Sequence, residues 1–179
     1  MAIREIRKYP DPVLHQKTGR VETIDGTLRR LIEDMVETMH AAPGVGLAAN
    51  QVGIARRVAV VDADDDRFAM IDPVILEAEG RATAEEGCLS IPEIYGDVSR
   101  PERVVVEATD EHGHRYRKEA TGLKARAIQH EIDHLDGILF LDRVGPLKRR
   151  RLLADWKKSR KGQTSYLKDV VPEGAAKVF

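Results

Sequence analysis

Leu28, Leu31, Ile32, Met35, Val36 and Met39 recur at spacings of three and four, which places them on one stripe of a helix over residues 25–40. Asp25 or Thr27 can cap its start, and Pro43-Gly44 stops it. Ahead of it, the first 24 residues read as an extended lead-in punctuated by Pro10 and Pro12, covering an edge or a core face. Beyond it, residues 57–62 (RVAVVD) predict a strand, with an exposed turn at DADDD and short strands over residues 68–71 and 74–78. Residues 103–110 (RVVVEATD) predict a further strand, paired through an HGH turn with residues 115–120. A second helix spans residues 123–135 and ends at Gly137. Leu123, Ala127 and the His/Glu positions share one of its faces, while Ile128, Ile132 and Leu135 form an adjoining apolar one, so this helix is expected to be central and buried. A third helix over residues 147–158 carries Leu152, Leu153 and Trp156 on one side. Residues from Gly162 onward show no strong pattern and are expected to fray. Nothing repeats and no linker divides the chain, so residues 1–179 are expected to form one domain of short strands around a central helix.

Composition narrows the function classes. Apolar types make up 42% and aromatics only 4%, so aliphatic side chains must fill the core. No stretch approaches a membrane span, and the start MAIREIRKYPDP has no apolar h-region, so a cytoplasmic location away from membranes is expected. The net charge of −1 argues against a globally basic nucleic-acid binder and against specific DNA binding. Its distribution is lopsided: residues 148–161 hold eight Lys/Arg and one Asp, a segment of +7 against −8 for the rest. Cys88 is the single cysteine, which excludes an intrachain disulfide and a four-cysteine zinc module and suits a reducing compartment.

The candidate chemistry centres on His130-Glu131-Ile132-Asp133-His134. Two histidines four apart on a helix point the same way and can share one metal ion, and Glu131 falls beside that ion as a general base. A catalytic site needs a third ligand and an open fourth position. Cys88, in Glu86-Gly87-Cys88-Leu89-Ser90, is the natural one, although alone it reads as a buried thiol. A thiolate with two imidazoles suits Fe²⁺, Zn²⁺, Ni²⁺ or Co²⁺. In residues 44–51 (GVGLAANQ) there is no phosphate-loop signature. Gly44 and Gly46 permit close backbone approach, and Gln51 offers an amide to an oxygen turning anionic; a tight packed turn fits that segment equally well. Glu86 and Asp133 are read as carboxylates that orient the ligating histidines, with a plain surface salt bridge as the alternative, open above all for Glu86. The Asp62–Asp66 run lacks the spacing of a calcium loop, and His112 and His114 read as surface residues of a turn.

Together the three segments resemble the peptide deformylase family, with the likeness continuing through Gln129 and residues 135–140 and covering roughly residues 3–160. The resemblance implies an α+β fold with small antiparallel β-sheets around the central HExxH helix. It implies a metallohydrolase that takes the formyl group from N-terminal formyl-methionine of newly made polypeptides and releases formate, acting as a monomer. By the same likeness Cys88, His130 and His134 are the metal ligands, with Fe²⁺ usual in the cell, and Glu131 is the general base and acid. The Gln51 side chain and the Leu89 backbone N–H stabilise the oxyanion. Gly46 pairs with the substrate backbone, and Val45, Leu123 and Ala127 line the methionine pocket. Many bacterial members carry an arginine seven residues after the metal-binding cysteine, near the substrate path; here that position is Tyr95. The basic helix resembles the segment with which bacterial members dock on the ribosome.

Two rival readings make different demands. A metallo-endopeptidase shares HExxH but usually takes its third ligand after the helix, where this chain offers only Asp136 close by. A non-catalytic ribosome- or RNA-binding module would use the +7 helix and leave the metal-type residues unexplained.

Overall fold

The computed structural model describes residues 2–162, 167–168 and 179; residues 167–168 are described by their backbone alone. In chain order the elements are β1 (Ile6–Arg7), a 3₁₀ turn (Pro12–His15), α1 (Gly26–Ala41), β2 (Gly46–Ala48), a 3₁₀ turn (Ala49–Val52), β3 (Val58–Ala63), β4 (Asp66–Glu79), β5 (Ala82–Cys88), β6 (Ile91–Arg100), β7 (Arg103–Thr109), β8 (Arg115–Thr121), α2 (Gly122–Leu135), a 3₁₀ turn (Phe140–Asp142), α3 (Pro146–Ser159) and β9 (Leu167–Lys168). A five-stranded antiparallel sheet runs β2-β3-β4-β7-β8, β5 pairs with β6 as a separate hairpin, and β1 pairs with β9. This is the expected α+β arrangement around the HExxH helix. Among the described residues no helix is long and apolar enough to cross a membrane.

The packing explains why some strands were easy to read. Strand β3 is buried on both faces: Val58 and Val60 join the cluster that holds Leu28, Met35 and Met39 of α1. Ala59 and Val61 join the cluster that holds Ile128, Ile132 and Leu135 of α2. A strand sandwiched between two helices needs apolar residues at every position, which is the RVAVVD run. Strand β7 covers the core with one face only, so buried Val104, Val106 and Ala108 alternate with half-exposed neighbours.

Two expectations are revised, and a third lies mostly outside the described residues. The two short strands over residues 68–71 and 74–78 are one strand, β4, interrupted by register shifts between Ile71 and Val74 and between Ile75 and Glu77. Asp72 sits there at φ 50° and Pro73 has no N–H to give to the ladder, so the alternation breaks while the strand continues. The lead-in is not simply extended. It holds β1 and a 3₁₀ turn, and buries Ile6 and Leu14 completely. The frayed tail expected over residues 162–179 falls mostly outside the described residues, but Leu167–Lys168 pairs with β1 and Phe179 is buried.

What ties the β5–β6 hairpin to α2 is a buried charge network. Arg100, at the end of β6, forks onto both oxygens of Glu86 on β5 (2.6 and 3.0 Å) and reaches Asp133 of α2 (2.8 Å). Arg126 of α2 adds a bond to Glu86 (2.7 Å) and others to the carbonyls of Val98 and Ala82, and Arg143 closes on Asp133 (2.7 and 3.1 Å). Glu86 is fully buried and Arg100 nearly so, so their charges lose hydration and survive only as a set. Burial alone would raise the Glu86 carboxyl; hydrogen bonds from His130 and Arg100 outweigh it and hold the group well below the usual carboxylate range. Arg100→Leu removes the guanidinium that two buried carboxylates share, leaving Glu86 with Arg126 and Asp133 with Arg143, and is expected to cost about 3 kcal/mol. Urea unfolding should show it as a lowered midpoint at unchanged slope, and a midpoint within error of the parent would refute the network's role.

Candidate metal centre

Helix α2 forms because residues 123–135 contain no glycine or proline and carry apolar stripes that seat against β3 and β2. That seating turns the i, i+4 pair His130 and His134 inward, with their Nε2 atoms 3.1 Å apart. Cys88 arrives from the end of β5, where a shift of register between Glu86 and Cys88 breaks the hairpin ladder. Its Sγ lies 3.3 Å from His134 Nε2, and the three ligand atoms fall within 4.8 Å of one another, all on buried residues. Two imidazole nitrogens bound to one tetrahedral zinc lie about 3.3 Å apart, close to the separation found here. The donor set therefore fits one divalent metal ion.

Each ligand is oriented by something else. His130 turns Nδ1 to Glu86 Oε2 (3.1 Å), which leaves Nε2 for the ligand cluster. His134 is entirely enclosed, and burial, reinforced by the Arg100 charge, pushes its pKa well down, which favours the neutral imidazole that a metal takes. The helix end that carries it is tied down by Asn50 Nδ2 on the His134 carbonyl (2.5 Å) and by Thr18 on the Leu135 carbonyl. Ser90 N–H donates to Cys88 Sγ at 3.4 Å.

Glu131 has no exposure, and neither carboxylate oxygen has a hydrogen-bond partner. Burial raises its proton affinity strongly; the Arg100 charge opposes this, and Glu86 and Asp133 reinforce it. Gly46 makes room for it: a Cβ at that position would stand 2.8 Å from Glu131 Cδ. A glycine is therefore required there by close approach, beside its pairing with Val61 in the sheet. Gln51 is pinned by the Ala48 N–H on its Oε1 (2.9 Å), which points its Nε2 at Ser90 Oγ (3.2 Å) and Cys88 Sγ (3.7 Å). The Leu89 N–H, one residue past the thiol, donates to the carbonyl oxygen of Phe179 at 2.7 Å. The Phe179 ring stacks on His130 with centroids 5.3 Å apart.

The remaining sequence candidates are distributed around this point. Val45 and Ala127 are buried in the same apolar cluster as Phe179. Leu123 is half exposed and lines, with Ala84, Glu85, Arg126 and Phe179, a cavity of about 330 Å³. Tyr95 is also half exposed; its ring lies on Gly87, where a Cβ would be 2.7 Å from Cε1. Glu86 and Asp133 both belong to the buried network, and Glu86 alone touches a ligand directly. His112 and His114 are exposed, as expected, with their N–H groups on Asp110.

Sequence reasoning missed Arg100, Arg126 and Asn50. Arg126 had a usable signal, because it stands four residues before His130 and so puts a cation on the ligand face of an apolar helix. Arg100 had none, because its partners lie 14 and 33 residues away.

The geometry agrees with what the chain is similar to. A family model described as polypeptide deformylase matches residues 3–150. A peptide deformylase of Thermodesulfovibrio yellowstonii is 50% identical over 154 residues, covering 83% of this chain and 93% of that protein. One from Neisseria meningitidis is 48% identical over 164 residues, covering 90% and 98%. The crystal structure of a peptide deformylase from Legionella pneumophila superposes with a TM-score of 0.85 at 41% identity, over 90% of this chain and 98% of that one. A buried Cys/His/His cluster with a carboxylate beside it, on this fold and in this sequence, has one reading: the chain belongs to the polypeptide deformylase family, metal-dependent hydrolases that remove N-formyl groups from peptides.

Proposed function

We propose that Cys88, His130 and His134 hold one divalent ion, Fe²⁺ in the cell with Zn²⁺, Ni²⁺ or Co²⁺ able to replace it, and that Glu131 is the acid–base group of deformylation of formyl-methionyl N-termini. The observation that carries this reading is the Glu131 carboxylate: buried, unpartnered, and on the helix between the two histidines. An ion in that site supplies Lewis acidity, which acidifies water and polarises a carbonyl. Glu131 takes a proton from the attacking water, whose oxygen adds to the formyl carbon. The raised proton affinity of a buried carboxylate suits that task. Gln51 Nε2–H and the Leu89 N–H donate to the oxygen that turns anionic, Gln51 exchanging its present bond to Ser90 or Cys88 for it while the Ala48 N–H keeps hold of Oε1. As the C–N bond breaks, Glu131 returns the proton to the leaving nitrogen, giving formate and a free amine. Cys88 is a ligand in this scheme and forms no acyl intermediate.

Gly46 runs along the substrate backbone, and Val45, Leu123 and Ala127 receive the methionine side chain. Tyr95, on the rim at Gly87, faces the residues that follow it. Glu86 and Asp133 act indirectly, through the orientation of His130 and the anchoring of α2. A reducing cytoplasm is the compartment that keeps such a thiolate intact. The basic helix α3 carries Arg149, Arg150 and Lys157 within one largely exposed stretch, charges suited to the phosphates of ribosomal RNA.

Glu131→Gln keeps the shape of the site and removes the base. Formate release from formyl-Met-Ala should fall at least about 10²-fold while metal content stays at one ion per chain; near-parental turnover with metal bound would overturn the assignment. Gln51→Leu removes one oxyanion donor and should lower kcat by about 10²–10³-fold with little change in KM. For the docking surface, reversing Arg149, Arg150 and Lys157 to glutamate should weaken ribosome co-sedimentation and leave dipeptide turnover intact; undiminished co-sedimentation rejects it.

A further inference from the structure

We propose that Phe179 is a resident occupant of the substrate site, competing in cis with the incoming N-terminus. Its carbonyl oxygen takes the Leu89 N–H at 2.7 Å. A backbone amide has one hydrogen, so this bond and a bond to a reacting oxygen exclude each other. Its ring lies on His130, one of the three metal-type ligands, at 5.3 Å and an interplanar angle of 30°. The residue is buried at 7% exposure, packs within the apolar cluster that contains Val45 and Ala127, and forms one wall of the cavity shared with Leu123. One residue thus meets the oxyanion donor with its backbone and the apolar pocket with its side chain, which are the two contacts a formyl-methionyl group needs. The inference rests on the reading of Leu89, Val45, Leu123 and Ala127 as the substrate site.

Such an occupant is tethered, so dilution of the enzyme does not remove it. Substrate must displace it, and the apparent affinity falls by the fraction of time the site is open.

The test uses the zinc-loaded, diamagnetic protein with Phe179→Ala, and in parallel a chain shortened by that one residue. In ¹⁵N–¹H and aromatic spectra the Leu89 amide and the His130 ring protons should shift, while the remaining amides report an intact fold. If Phe179 fills the site nine-tenths of the time, KM for formyl-Met-Ala should drop about tenfold at unchanged kcat in both variants. Unmoved Leu89 and His130 signals, with formate still released, overturn the occupancy and leave the deformylase roles standing. Signals that move while KM stays at the parental value overturn the competition, and with it the assignment of this pocket to the substrate.

Discussion

Arg100 is the hinge on which the rest of the structure depends. Its guanidinium, nearly without exposure, is shared between Glu86 of the β5–β6 hairpin and Asp133 of α2. Buried charges tolerate little misplacement, because any one left unpaired carries its full desolvation cost. The hairpin and the helix are thereby held in one relative position, and that position brings Cys88 to two histidines 42 and 46 residues further along the chain. The same carboxylate that takes the arginine fork also faces His130 Nδ1, so the bond that docks the hairpin orients the imidazole as well. Packing alone fixes side chains to within a rotamer; a bidentate pair fixes both distance and direction.

The site is preorganised on the opposite side by β2 and the 3₁₀ turn that follows it. Gly46 yields the volume that the Glu131 carboxylate fills, Ala48 N–H holds the Gln51 amide, and Asn50 anchors the last turn of α2. These are backbone and amide contacts in a water-poor setting, where fixed dipoles are most effective. Glu131 departs from this order, with neither carboxylate oxygen partnered, and Asn50 Oδ1 and His134 Nδ1 nearby are unpartnered as well. A buried polar group left unsatisfied is costly for stability.

Legibility in the sequence followed burial. Helix α1, strands β3, β7 and β8, and helix α2 each expose one periodicity to a simple environment, and their patterns state it. The β5–β6 hairpin does not. Along β6 the inward positions are Ile94, Gly96, Val98 and Arg100, so a glycine and a charge stand where apolar residues would mark a strand. Gly96 is small because Leu152 and Val144 crowd it, and Arg100 is charged because Glu86 and Asp133 wait for it. Both reasons lie in other segments. Strand β2 was hidden for the same cause: its three residues serve α2 and the neighbouring turn as much as the sheet.

By itself the sequence determined the candidate metal ligands. Two histidines one helical turn apart and a single cysteine name the donor atoms, because helical spacing and ligand preference are local properties. Tertiary structure decided what those atoms can meet: that Cys88 reaches His134, that Glu86 and Arg100 lock the hairpin onto α2, that Gly46 leaves space for Glu131, and that Phe179 lies across His130 and Leu89. Contacts of that kind depend on how segments far apart in the chain share one desolvated volume, and residue order alone does not carry that information.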